Sequence, residues 1–92
     1  MLTPAERKAL KARAHNLNPV VILGAKGLTP QVLKEVDLAL KSHELIKVRA
    51  PGLERDDIDA MLAELAMMLE AEAVQRIGKI MVLYRKRPET DA

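Results

Sequence analysis

Apolar residues change their spacing along this chain, and the changes mark out its elements. Thr3-Pro4-Ala5-Glu6 has the form of a capping box, with Thr at the N-cap, Pro at the first helical position and Glu three residues after the cap. A helix is predicted from Pro4 to His15. At about 100° per residue, Arg7, Lys8, Lys11 and His15 fall in one arc while Leu10, Ala14 and Leu17 gather elsewhere, a basic face opposite a thin apolar one. Asn16-Leu17-Asn18-Pro19 ends this helix. Val20-Val21-Ile22-Leu23 is a continuous apolar run of the kind that fills a buried strand, and Gly24-Ala25-Lys26-Gly27 breaks it.

Thr29 and Pro30 repeat the helix-start signal, and Val32, Leu33, Val36, Ala39 and Leu40 form the apolar stripe of a second helix ending near Ser42 or His43. From Leu45 to Ala50 the period drops to two. Ile46, Val48 and Ala50 lie on one side and Lys47 and Arg49 on the other, which predicts a half-buried strand with a basic outer face. Pro51-Gly52 closes it. Asp56 is positioned to cap a third helix from Asp57 to Ala71, whose Ile58, Met61, Leu62, Leu65 and Leu69 face inward and whose exposed side is acidic. Val74 to Ile77 and Ile80 to Tyr84 flank Gly78-Lys79, which suits a type II′ hairpin. The second of these strands is apolar almost throughout and is predicted to be central. The fold class is therefore α/β, in the order α-β-α-β-α-β-β. It is a mixed four-stranded sheet in which each of the two later helices joins strands able to run parallel. Residues 1–86 are expected to form one domain, and 87–92, which have no apolar anchor, a flexible C-terminal tail.

Composition narrows what such a domain can do. The chain has 92 residues, 49% of them hydrophobic and 30% charged, which suits a single core. No apolar run approaches the roughly 18 residues of a membrane-spanning helix. Charge rather than an apolar segment follows Met1, so no secretory signal, no membrane contact and a cytoplasmic location are expected. Without cysteine there are no disulfides, thiolate zinc sites or thiol nucleophiles. Tyr84 is the single aromatic residue, too few for the stacking platforms that grip single-stranded nucleic acid, so any such binding must rest on backbone amides and cations. Residues 1–50 hold nine Lys/Arg against four Asp/Glu, residues 51–75 one against seven, and residues 76–92 five against two. This segregation reads either as unrelated solvated faces or as one surface for an anionic partner.

The strand, Gly-x-x-Gly loop and helix over Val20 to Leu40 carry the main candidate chemistry. Two glycines free the backbone and bare its amides, the helix that follows points a positive dipole end at the loop, and Lys26 adds a full charge, an arrangement fit for an anion. The same spacing also makes a simple turn. It is neither a Walker loop nor a dinucleotide fingerprint. His15 and His43 sit where helices end, a structural position, and no nucleophile or ligand set accompanies either. No metal site, no cofactor and no enzymatic activity are expected. Met61, Met67, Met68 and Met81 read as gap-fillers in a core short of aromatics, or as a soft binding groove.

Together, Pro19-Val20-Val21-Ile22-Leu23-Gly24-Ala25-Lys26-Gly27-Leu28-Thr29, the stretch His43-Glu44-Leu45-Ile46-Lys47-Val48, and Ile77-Gly78-Lys79 followed by Val82-Leu83-Tyr84-Arg85 closely resemble the CRM domain, named for chloroplast RNA splicing and ribosome maturation. The resemblance covers residues 2 to 86 and is nearest to the bacterial stand-alone, YhbY-type members. It implies an RNA-binding fold similar to the C-terminal domain of translation initiation factor three and association with the precursor of the large ribosomal subunit; the partner expected is ribosomal RNA there, and the chain is expected to be a monomer. It also implies an RNA contact at Gly24, Ala25, Lys26 and Gly27. Helix and strand geometry adds Arg7, Lys8, Lys11, Lys47 and Arg49 as the surrounding basic surface, and the tail cations Arg85, Lys86 and Arg87 add weaker attraction. An alternative is a ribosome-associated module whose main contact is another protein, made through the acidic or methionine-rich side. On the first reading, Gly27→Asp sets a carboxylate against phosphate.

Overall fold

A computed structural model of the chain describes residues 2–86. The elements follow the expected order: α1 (Pro4–Ala14), β1 (Val21–Ile22), α2 (Pro30–His43), β2 (Leu45–Arg49), α3 (Arg55–Met68), β3 (Glu72–Ile77) and β4 (Ile80–Tyr84). The predicted tail, 87–92, lies outside the described residues. Both helix-start signals act as read. Thr3 and Glu6 close a reciprocal capping box, and the Thr29 hydroxyl accepts a hydrogen bond from the Val32 amide at 3.2 Å. The four strands form one sheet in the order β1-β2-β4-β3, with β1 parallel to β2 and β4 antiparallel to both β2 and β3. The apolar β4 is thus central, as its composition demands. At the hairpin, Gly78 has a φ of +58° while Lys79 keeps a negative one, as a type II′ turn requires.

Two layers cover the sheet. On one face, α2 and α3 bury Val21, Leu23, Ile46, Val48, Met81 and Leu83 against their own Val36, Leu40, Ile58, Leu62 and Leu65. On the other face, Leu10 and Ala14 of α1 pack on Leu45, Val74 and Val82. Alternation along β2 decides this division: Ile46 and Val48 point to the first layer, Leu45, Lys47 and Arg49 to the second.

The structure corrects four local expectations. β1 is a two-residue edge strand rather than a buried one, because α1 lies over β2 and β3 and leaves Val20 and Ile22 uncovered. α3 begins two residues early, at Arg55. Its N-cap is Glu54, which makes no side-chain cap bond, and Asp56 sits in the first turn. The same helix stops at Met68 instead of Ala71. There the Ala71 N–H donates to the Ala66 carbonyl at 2.8 Å and the Glu70 N–H to Met67 at 3.5 Å, a Schellman closure that forces Glu70 to a φ of +53°. β3 starts earlier, at Glu72, and carries a bulge between Ala73 and Gln75.

Candidate nucleic-acid interface

Three turns meet at one end of the sheet, because β1, β2 and β3 all run toward it. The first is the Gly-x-x-Gly segment. Its Gly27 N–H donates to the Gly24 carbonyl at 3.0 Å, making a β-turn that exposes Ala25 and Lys26 at its tip. The second is Pro51-Gly52, close enough to the first that a Cβ added at Gly52 would touch Ala25, 3.8 Å from its Cα. The third is Gly78-Lys79, tied to the second by the Lys79 carbonyl, which accepts from the Ala50 amide at 2.8 Å, and by the Lys79 ammonium, which donates to the Pro51 carbonyl at 3.3 Å.

The two glycines of the first turn differ. Gly24 is exposed, and a Cβ added there would meet nothing within 4 Å. Gly27 is buried at a φ of +69°, and its Cβ would point inward, 3.1 Å from Met61 Cε. A carboxylate at position 27 would therefore enter the core rather than face a phosphate, so Gly27→Asp probes stability and Gly24→Asp probes the surface. The amides are fewer than the sequence implied. That of Gly27 is committed within the turn, Pro30 has none, and that of Val32 is capped by Thr29. The amides at the tip and the Lys26 ammonium are what this turn offers an anion.

Of the surrounding cations, Lys8 and Lys11 are exposed on α1, and Lys47 and Arg49 emerge from the same sheet face that α1 packs upon. Two others are occupied inside the fold. Arg7 lies about 60° round the helix from Leu10, near enough to reach under α1. Its guanidinium donates to the carbonyls of Ala73 and Val74 at 2.6 and 2.8 Å, satisfying the bulge of β3. Arg85 donates to the Asp37 carboxylate at 2.8 Å, to the Asp37 carbonyl at 3.1 Å and to the Leu69 carbonyl at 2.9 Å, clamping α2 to the end of α3. That guanidinium, with Lys41 one helical turn on, holds the Asp37 carboxyl below its ordinary pKa. No sequence signal announces the bulge that claims Arg7.

Charge segregation along the chain becomes segregation in space. The basic α1 lies on one face of the sheet and the acidic α3 on the other. Residues 56–75 contain six Asp/Glu and no Lys/Arg. On that acidic side Met67 is 75% exposed and Met68 is exposed too, which corrects their reading as core, whereas Met81 is buried and Met61 half-buried beneath Gly27.

A four-stranded α/β domain with one cationic side, an exposed glycine-bounded turn and one anionic side is the class defined by this geometry. Residues 2–85 match the CRS1 / YhbY (CRM) domain, and the chain belongs to that family. It is 46% identical to a probable RNA-binding protein of Pseudomonas aeruginosa, over 96% of this chain and 85% of that one. It is 44% identical to an RNA-binding protein of Haemophilus influenzae, over 96% and 89%. The solution structure of the protein SAV1595 from Staphylococcus aureus superposes with a TM-score of 0.86 at 33% identity, over 99% of this chain and 95% of that one.

Proposed function

We propose that this chain binds RNA, associates with the precursor of the large ribosomal subunit during ribosome assembly, and grips the RNA backbone without catalysing a reaction. The observation that carries this reading is the two-faced charge. Lys47 and Arg49 project from the sheet face on which the basic α1, with Lys8 and Lys11, is packed, the turn with Ala25 and Lys26 at its tip stands at the end of that sheet, and the acidic α3 on the opposite face repels phosphate. Its relatives are named as RNA-binding proteins. Arg7 and Arg85, bonded internally, take no part.

Titration of a single-stranded RNA at several salt concentrations, beside co-sedimentation with large-subunit precursors, tests this. Five cations on phosphate give a slope of log affinity against log salt of about −3.5. Gly24→Asp and the pair Lys8→Glu and Lys11→Glu weaken both RNA binding and co-sedimentation, and Glu64→Gln leaves both unchanged. A salt-independent affinity refutes backbone reading. The exposed Met67 favours a second reading, a protein contact on the α3 side. That reading replaces the first if Met67→Ser abolishes co-sedimentation and the α1 changes do not.

A further inference from the structure

The uncovered part of the sheet carries a row of side chains that α1 does not reach. Strand register aligns Ile22 with Arg49, Arg49 with Ile80, and Ile80 with Ile77, so all four stand side by side on the α1 face, at the end nearest the three turns. Three of the four are open to solvent, Ile22 at 64%, Ile77 at 50% and Arg49 between them, and Ile80 is half-buried. Lys47 and Val20 begin the next row. Two β-branched residues on the two edge strands of one sheet face, joined by a third, make an apolar strip that a free monomer has no reason to display.

We infer that this strip receives the bases and riboses of an unpaired RNA segment whose phosphates are held by the turn at Lys26. The inference rests on the RNA-binding reading and adds the form of RNA, single-stranded rather than duplex. Charge chooses the occupant. No carboxylate stands in either row, and the polar members that project from it are Arg49 and Lys47 on β2 and Gln75 on β3. A second copy packed on the same strip would bury those cations against their own counterparts without a partner. RNA supplies both halves of the match, phosphate for the cations and flat apolar base faces for the isoleucines. A guanidinium in the middle of the row can also lie against a base. The aliphatic strip takes the place of the aromatic platform that the composition rules out.

The test compares Ile22→Thr with Ile77→Thr, singly and together, on a short single-stranded RNA and on a duplex of the same sequence. Threonine keeps the branched β-carbon and the exposed setting, so the fold is retained, as circular dichroism checks. The double variant loses about tenfold in affinity for the single strand, at an unchanged salt slope, and nothing for the duplex. Equal binding of the single strand by wild type and double variant, while Gly24→Asp weakens it, overturns the strip and leaves the RNA-binding reading standing. Failure of the wild-type protein to bind either RNA removes both. A wild-type dimer that the double variant dissociates assigns the strip to a second copy and overturns the inference.

Discussion

Gly27→Ala places a Cβ 3.1 Å from Met61 Cε at a backbone φ of +69°. A side chain in the left-handed region costs about 1–2 kcal/mol, and the stiffer unfolded chain returns about 0.5 kcal/mol of this. Met61 Cε is the free end of a flexible side chain, so the close contact relaxes at little further cost. The net loss is about 1 kcal/mol, or about 4–8 °C in melting temperature for a domain of this size. Gly27→Asp adds a carboxylate directed at Met61 and Leu53, apolar neighbours with no donor to offer, for a further loss of about 1–3 kcal/mol. Gly24→Asp meets no atom and no unfavourable φ, so its stability stays within about 0.5 kcal/mol of wild type. Thermal unfolding followed by circular dichroism, paired with RNA titration at a temperature where all variants are folded, reads both axes. Position 27 should move the melt and position 24 the affinity. If Gly27→Asp melts with wild type and loses RNA, or Gly24→Asp loses as much stability as Gly27→Asp, the assignment of one glycine inward and the other outward is wrong.

Arg7→Ala strands the carbonyls of Ala73 and Val74 at the bulge and should cost about 2 kcal/mol, seen as a lower urea midpoint at unchanged slope; Arg7→Lys, lacking the planar fork, should recover only part. The Asp37 carboxyl is held below its ordinary pKa chiefly by the Arg85 hydrogen bond, so its contribution is complete above the unfolded-state pKa and is lost as pH falls through the lower folded value. Asp37→Asn should therefore be less stable than wild type at neutral pH, with the gap closing in acid; urea melts across pH check this, and a gap independent of pH refutes it. Glu70→Gly should raise stability by about 1 kcal/mol, because glycine suits the left-handed closing position of α3 and an acidic side chain opposes the negative end of the helix dipole. Calorimetry would show a higher melting temperature.

Signals local to a few residues were legible in the chain itself. The Thr-Pro starts of α1 and α2, the alternation of Ile46, Lys47, Val48 and Arg49, the Gly78-Lys79 turn and the central place of β4 each depend on residues close in sequence or on gross hydrophobicity. Features set by distant partners were not. The run Val20 to Leu23 looks the same whether one or both faces are covered, and only the position of α1 makes it an exposed edge. Arg7 belongs to the basic arc by helix angle, yet a bulge 66 residues away takes it inward. Gly24 and Gly27 are alike in the motif and opposite in burial, a difference made by Met61 of α3. The Ile22, Arg49, Ile80, Ile77 row draws on all four strands and exists only once register is known.

The strand order also says when the sheet can be completed. β4 sits between β2 and β3 although it follows both in the chain, so β2 has only the two residues of β1 beside it until Ile80 to Tyr84 have been synthesised. The sheet is therefore completed by a late hairpin, whose β4 docks on the open edge of β2 and carries β3 with it as the new edge, rather than extended strand by strand in chain order. Until that moment Arg49 has only Ile22 beside it, with Ile80 and Ile77 not yet alongside. A nascent chain of this protein carries its cations from the first helix onward but gains the aligned row of Ile22, Arg49, Ile80 and Ile77 last, so that row belongs only to a chain synthesised through β4.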